Sequence, residues 1–134
     1  ILSGADVDFH VMSTETFSFR EAQKRAEELF SLYPETDGVI ASNDIVATAV
    51  LHEALKRKIN VPDDLQIIGF DDIPQSELLF PSLSTIRQPA YEMGKEAAKL
   101  LLALMKNENI EQSAVQMPVT FIERQTTRKV DDNE

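Results

Sequence analysis

The two histidines, His10 and His52, are the first candidates for chemistry because imidazole titrates near neutral pH. His10 falls in a segment that alternates like a strand, and His52 falls inside a predicted helix beside Glu53. Neither stands at a recognisable spacing from a serine nucleophile, the G-x-S-x-G pattern is absent, and the sequence has no cysteine. We therefore predict no catalytic residue and interpret both histidines as strand or helix residues with local hydrogen bonds.

Patterns that bind cofactors or metal ions are also missing from the sequence. The four glycines are too dispersed to form a phosphate loop or a dinucleotide-binding glycine fingerprint. The histidines are not spaced as in a zinc site, and the pair Asp71-Asp72 lacks the spaced oxygen ligands of a calcium loop. The sequence thus predicts no cofactor and no metal, and it favours a binding module over an enzyme.

Polar and aromatic residues follow three apolar segments that we interpret as strands. Phe17 comes after the first of them, Asn43 after the second and Asp71 after the third. Open α/β sheets bind ligands outside the carboxyl ends of their strands, so these side chains are predicted to share one crevice. The set suits a sugar, because a carboxylate and an amide hold adjacent hydroxyls while an aromatic ring covers the apolar face.

Each of these residues also has a purely structural explanation. Asn43 is a helix N-cap, Asp71 can shape a turn, and Phe17 can be the hydrophobic staple before a Ser18 cap. Gln88, at the end of a fourth segment, is more easily explained as structural than as a ligand contact. Spacing alone therefore predicts an α/β binding domain and leaves the ligand open.

The elements that position these residues alternate between strands and helices. Apolar or alternating runs predict strands, and the caps Ser18 and Asn43 predict where two helices begin. This order predicts an α/β fold: an open, mostly parallel sheet with helices on both faces. The predicted strands are Val7–Met12, Gly38–Ser42, Leu65–Phe70 and Leu83–Gln88, and Ala114–Glu123 is predicted to be extended. One predicted helix runs from the Ser18 cap to about Ser31 and a second from the Asn43 cap to about Lys58. A third covers Tyr91–Lys106.

Two predicted helices are more apolar than one buried face requires. Ile45–Leu55 and Ala97–Met105 are apolar around most of their circumference, which predicts burial on more than one side. The sequence therefore predicts a partner surface, formed by another subunit or another domain. The longest apolar run, Leu100–Met105, is far too short to cross a bilayer, so no membrane association is predicted.

The charge of the chain argues against direct contact with DNA. The 13 basic residues are scattered among 23 acidic ones, and the formal net charge is −10. A duplex-binding surface needs clustered Lys and Arg to displace counterions. We expect residues 129–134, which end in acidic side chains, to form a disordered, solvated tail.

Four strings in this order and spacing resemble the lactose-repressor/galactose-repressor family of transcription regulators. The resemblance extends from Ile1 to about Arg128. It is carried by D-G-V-I-A-S-N-D-I-V-A (Asp37–Ala47), V-P-D-D-L-Q-I-I-G-F-D-D-I (Val61–Ile73), F-P-S-L-S-T-I-R-Q-P (Phe80–Pro89) and M-P-V-T-F-I-E-R-Q-T-T (Met117–Thr127).

The resemblance implies one lobe of a two-lobed, periplasmic-binding-protein-like sensor that holds its effector between the lobes. Residues 1–128 would form the C-terminal part of the effector-binding domain, and the helix over 89–106 would normally pack in the other lobe. A DNA-binding head is expected to be absent from this chain, so operator DNA would be a partner only through that missing N-terminal head.

The resemblance also assigns roles to residues. Matching positions make Phe17, Asn43, Asp71 and Gln88 the ligand contacts. The family's dimer surface would include Thr48, Leu51, His52 and Leu79, close to the turn Leu78–Phe80. The family often has an aromatic residue where this sequence has Ala90, a departure that leaves the choice of sugar open.

The function predicted on this basis is the ligand-sensing and dimerisation region of a sugar-responsive, cytoplasmic transcription repressor that acts as a homodimer. The effector is a sugar or sugar phosphate, with a sucrose-type operon as one candidate and a purine corepressor left open. The alternative is a periplasmic sugar-binding protein of a transport system, which the apolar Ile45 helix disfavours. A small Rossmann-like enzyme is disfavoured because the glycine fingerprint and a nucleophile are missing.

Overall fold

A four-stranded mixed sheet organises the computed structural model, which describes residues 7–16, 18–108 and 114–129. The strand order is β1-β2-β3-β4; β1, β2 and β3 are parallel, and β4 is antiparallel to β3. The prediction of an open, mostly parallel α/β sheet is confirmed. The elements are α1 (Phe19–Leu32), β1 (Gly38–Ile40), α2 (Asp44–Lys56), β2 (Gln66–Asp71), a 3₁₀ helix (Pro74–Glu77), β3 (Ser84–Arg87), α3 (Ala90–Met105) and β4 (Thr120–Ile122).

Both predicted helix caps are present. The Ser18 hydroxyl accepts a hydrogen bond from the Glu21 amide at 3.3 Å, and the Asn43 side-chain oxygen accepts one from the Val46 amide at 2.8 Å. The first amides of a helix have no partner inside the helix, so such side chains define where it begins. The sequence therefore located the starts of α1 and α2 to the residue.

The core lies between α1, α2 and one face of the sheet. Alanines at the contact let the helices approach closely, and larger side chains from β2 and its flanks fill the space beneath them. Leu51 belongs to this core, with 3% of its surface exposed. The buried cluster comprises Ala26, Phe30, Ala41, Ala47, Val50, Leu51, Ala54, Leu65, Ile67 and Leu83.

A late segment of the chain bridges β2 and the residues at the start of β3. Thr126 is fully buried; its hydroxyl donates to the Ile67 carbonyl at 2.7 Å and accepts from the Ser84 amide at 2.8 Å. The Ile67 amide in turn donates to the Thr126 carbonyl at 2.9 Å. Residues 124–128 therefore act as part of the sheet, although the prediction stopped the extended segment at Glu123.

Helix α3 differs from the other helices because none of its residues is buried. The predicted range, Tyr91–Lys106, is correct to one residue at each end. Two of its leucines, Leu101 and Leu104, are 58% and 61% exposed. Contacts with the rest of the described chain therefore do not cover its apolar stripe. Within the described ranges, no helix has the length and apolar character needed to span a bilayer.

The predicted strand Val7–Met12 is wrong. Residues 7–14 have no regular secondary structure, and Val7, Phe9 and Val11 are exposed. An alternating sequence becomes a strand only when a neighbouring strand completes its hydrogen bonds. In the described part of the chain, β1 pairs only with β2. His10 instead stacks on Tyr33, with ring centroids 3.7 Å apart.

Candidate functional site

The register of the sheet places the ends of three parallel strands at one edge. Ile40 of β1 pairs with Ile68 of β2, and Asn43 and Asp71 each lie three residues beyond that pair. Asp71 pairs with Arg87 of β3, and Gln88 follows directly. Asn43, Asp71 and Gln88 therefore emerge side by side at the carboxyl edge, where α/β sheets bind ligands. The remaining predicted contact, Phe17, lies outside the described residues.

Only the oxygen of the Asn43 side-chain amide is used to cap α2. The NH₂ group has no acceptor among the described residues. The side chain is half-buried at the carboxyl edge. An asparagine at this position can therefore hold the helix with its oxygen and still donate two hydrogen bonds to a ligand. A serine would supply the cap but not these donors.

Asp71 is an exposed carboxylate at the end of β2, and one of its oxygens accepts a hydrogen bond from the Gln88 amide at 2.7 Å. Its other oxygen has no hydrogen-bond donor within the described ranges. Its backbone φ is 118°, in a region that residues other than glycine rarely adopt. The structure thus brings two of the predicted contacts together directly.

Asp72 is the buried member of an ionic cluster behind Asp71, in which the Arg87 side chain stays 56% exposed. The Asp72 side chain is 6% exposed and accepts hydrogen bonds from Arg87 Nε at 2.5 Å and from Arg124 Nη2 at 2.7 Å. Burial alone would raise the pKa of the Asp72 carboxyl, but the bonds from Arg124 and Arg87 outweigh it and lower the pKa. Asp72 is therefore ionised and neutralised within the protein, whereas Asp71 faces outward.

Asp44 joins the elements beneath the site. It is fully buried; one carboxylate oxygen accepts from the Ile73 amide at 2.9 Å and the Ser76 hydroxyl at 2.6 Å, and the other accepts from the Thr85 hydroxyl at 2.5 Å. The first turn of α2 also favours a negative charge. Asp44 thus connects α2, the segment after β2, and β3.

Sequence reasoning missed three of these residues: Asp44, Asp72 and Arg124. Asp44 is next to the predicted Asn43, but its partners are 29 to 41 positions away. Asp72 was given no role of its own, and its partner Arg124 is 52 positions away. The local sequence contained no signal for these contacts because all of them are made by tertiary structure.

The arrangement can bind a hydroxylated molecule. Asp71 is an acceptor, the Asn43 NH₂ group is a donor, and the Gln88 amide can do both. In the described ranges, no three side chains of the His, Cys, Asp or Glu type stand close enough together to hold a metal ion. The chemistry that these residues support is hydrogen bonding at an exposed sheet edge.

Comparison with known proteins identifies the family. A family model described as a periplasmic binding protein-like domain matches residues 4–127. This chain belongs to the periplasmic binding protein-like domain family. It is 66% identical over 131 residues to the ribose operon repressor of Bacillus subtilis (strain 168), covering 98% of this chain and 40% of that relative. It is 40% identical over 128 residues to the ribose operon repressor of Lactococcus lactis subsp. lactis (strain IL1403), covering 96% and 39%.

Solved structures agree with these relatives. A LacI family transcriptional regulator from Arthrobacter sp. FB24, in complex with lactose, superposes with a TM-score of 0.84 at 30% identity, over 95% of this chain and 47% of that one. The predicted resemblance to the lactose-repressor family is confirmed. The relatives are regulators rather than enzymes, which agrees with the expectation of a binding module and favours a repressor over a transport protein. The chain spans about two-fifths of the length of the curated relatives it matches.

The predicted dimer residues of this periplasmic binding protein-like domain differ in what they offer to another chain. His52 is exposed and stacks near Phe19, with ring centroids 6.0 Å apart. Thr48 and Leu79 are half-buried, and the Thr48 hydroxyl donates to the Asp44 carbonyl at 2.6 Å. Leu51 is buried in the core of its own chain, on the inner side of α2. Its side chain therefore offers nothing to a partner.

Proposed function

We propose that this chain is the ligand-sensing region of a ribose-responsive transcription repressor. The observation that carries the proposal is the carboxyl edge where Asn43, Asp71 and Gln88 follow three adjacent parallel strands. The 66% identity to a ribose operon repressor supports ribose as the sugar. The sucrose-type operon considered from the sequence has no comparable support.

The effector that fits this edge best is the neutral pentose. Asp71 accepts from one ribose hydroxyl with its free oxygen, and Asn43 donates to a neighbouring hydroxyl. Phe17 covers the apolar face of the ring, and Gln88 orients the carboxylate from the side. A phosphate group beside Asp71 would be repelled by the negative charge of the carboxylate. The two nearby arginines, Arg87 and Arg124, would not offset this repulsion because both are already bound to Asp72. Ribose is therefore preferred to its phosphate.

The mechanism is a shift between two arrangements of a two-lobed sensor. Ribose binds the closed arrangement better than the open one, and this difference in affinity biases the homodimer. A separate region of the protein contacts operator DNA in the cytoplasm, and its affinity follows the sensor with a coupling of about 1–3 kcal/mol. Helix α3, whose apolar stripe is uncovered by the described chain, packs against the other lobe.

The dimer surface proposed here lies on the outer side of α2 and on the turn after the 3₁₀ helix. It consists of Thr48, His52 and Leu79, extended by the neighbouring Leu78 and Phe80, which are 78% and 87% exposed. Large apolar side chains left exposed close together in the chain are typical of a contact with another protein.

Titration calorimetry of the full-length protein tests the ligand. We expect ribose to bind, ribose 5-phosphate to bind more weakly, and Asp71→Ala to weaken ribose binding at least about tenfold, since a hydrogen bond to a charged group is lost. Asp63→Ala is the matched control, because this exposed aspartate precedes the amino end of β2. In the same samples, ribose should change the fluorescence anisotropy of labelled operator DNA. Unchanged ribose binding in Asp71→Ala would exclude this site.

A further inference from the structure

The turn that carries Asp71 has an uncommon backbone. Asp71 and Asp72 have φ angles of 118° and 55°, so two successive non-glycine residues adopt positive φ. L-residues rarely occupy this region because the β-carbon crowds the backbone. Conformations of this kind persist only where surrounding contacts hold them.

The surrounding contacts are ionic and come from elements distant in sequence. Both oxygens of Asp72 are used, one by Arg87 of β3 and the other by Arg124, which follows β4. Arg124 also donates to the Leu83 carbonyl at 2.8 Å, and its side chain is only 14% exposed. The guanidinium therefore fixes Asp72 relative to the start of β3 through two separate hydrogen bonds.

The neighbouring Asp71 takes its direction from this arrangement. Asp72 is held inside the protein, so the backbone between the two residues directs the Asp71 side chain outward, where Gln88 meets it. We propose that Asp72 and Arg124 are positioning residues that hold Asp71 in the orientation required for ligand binding. The part of this inference that concerns ribose rests on the proposed function; the part that concerns the turn does not.

A second ionic cluster in the same chain provides a matched control. Glu53 is as buried as Asp72, with its side chain 3% exposed, and it accepts from Arg57 Nε at 2.6 Å. Arg57 lies at the end of α2, the opposite end from Asn43. Removing Arg57 therefore leaves a buried carboxylate short of a partner without touching the turn at Asp71.

The test compares Arg124→Met, Arg124→Lys and Asp72→Asn with Arg57→Met in the full-length protein. NMR reports the turn through the Asp71 Cα shift, its amide-to-Hα coupling and the side-chain amide of Gln88. Calorimetry with ribose reports affinity. We expect Arg124→Met and Asp72→Asn to shift the three NMR signals and to weaken ribose binding by about tenfold, as for a lost bond to a charged group. Arg124→Lys should give NMR signals and a ribose affinity between those of the wild type and of Arg124→Met. Arg57→Met should lower the melting temperature and leave the NMR signals and the ribose affinity unchanged.

A double-mutant cycle separates positioning from general damage. If Arg124 acts through Asp71, adding Arg124→Met to Asp71→Ala should cause no further loss of ribose affinity. Additive losses would overturn the inference, as would unchanged Asp71 and Gln88 signals in both Arg124→Met and Asp72→Asn. If the signals shift but the wild-type protein does not bind ribose, the positioning of Asp71 stands and the proposed function fails.

Discussion

The carboxylate of Asp44 occupies the space that a side chain at position 69 would need. A β-carbon built on Gly69 would lie 2.2 Å from Asp44 Oδ1 and 3.1 Å from a methyl carbon of Leu83. Asp44 cannot move away without losing its bonds to Ser76 and Thr85. Glycine at this point of β2 therefore serves to admit the buried Asp44 side chain, not to bend the chain.

Gly69→Ala is expected to lower the free energy of unfolding by about 3 kcal/mol or more, at the upper end for an overpacked core. Urea denaturation followed by circular dichroism measures the change. Gly38→Ala is the control, since no atom lies within 4 Å of its added β-carbon. That variant should be unchanged or more stable by up to about 1 kcal/mol. Equal midpoints for both variants would contradict the role given to Asp44.

Glu53 should make part of the stability dependent on pH. The hydrogen bond from Arg57, opposed by burial and assisted by Lys56, lowers the pKa of Glu53 from its ordinary value of 4.5. A lowered pKa in the folded state means that the stabilisation is present above 4.5 and disappears as the pH falls through the lower folded value.

Glu53→Gln is therefore expected to cost about 1–2 kcal/mol at pH 7. The cost should shrink as the pH falls from 4.5 through the lower folded pKa, because the wild-type carboxyl then becomes neutral like the glutamine amide. Urea denaturation across this pH range measures the difference. Glu35→Gln, at an exposed position, should change stability by less than about 0.5 kcal/mol. A cost for Glu53→Gln that stays constant with pH would show that charge is not the cause.

Asn43 allows its two roles to be separated. Asn43→Ser keeps a side-chain oxygen for the Val46 amide, so stability should change by less than about 0.5 kcal/mol. It removes the NH₂ donor, so ribose affinity in the full-length protein should fall about tenfold. Asn43→Ala should lose both the affinity and about 1 kcal/mol of stability. Wild-type ribose affinity in Asn43→Ser would remove this residue from the site.

Phe80 should contribute to association between chains. It is 87% exposed, and burying a phenylalanine side chain is worth about 1.5–3 kcal/mol, so Phe80→Ser should weaken a dimer at least about tenfold. Sedimentation velocity of the full-length protein measures the dissociation constant. Leu32→Ser, on α1 and 64% exposed, is the control and should leave it unchanged. An unaltered dimer in Phe80→Ser would exclude the surface proposed above.

Local signals in the sequence predicted local structure well. Ser18 and Asn43 are capping residues, and the apolar periodicity behind them is enough to define α1 and α2. The alternation at Val7–Met12 failed because a strand also needs a partner, which local sequence does not reveal. The family resemblance assigned Leu51 to the dimer surface, and the apolar pattern of α2 could not correct this because it does not show which side of the helix faces inward.

The candidate site could be predicted only in part for the same reason. Asn43, Asp71 and Gln88 follow strands, so chain order and sheet register place them at one edge. Asp44, Asp72 and Arg124 act through partners far away in sequence, and nothing near them identifies those partners. The exposed half of the site was thus visible in the sequence, and the half that supports it was not.

The position of Thr126 has a consequence for how this protein matures during synthesis. Ile67 and Ser84 leave the ribosome long before Thr126 does, yet their amides donate to atoms of that residue. Until Thr126 has been synthesised, the backbone amides of Ile67 and Ser84 lack these hydrogen-bond acceptors. Incompletely folded chains of this kind are prone to aggregate. A stop codon or frameshift shortly before position 126 should therefore yield aggregates rather than a shortened sensor.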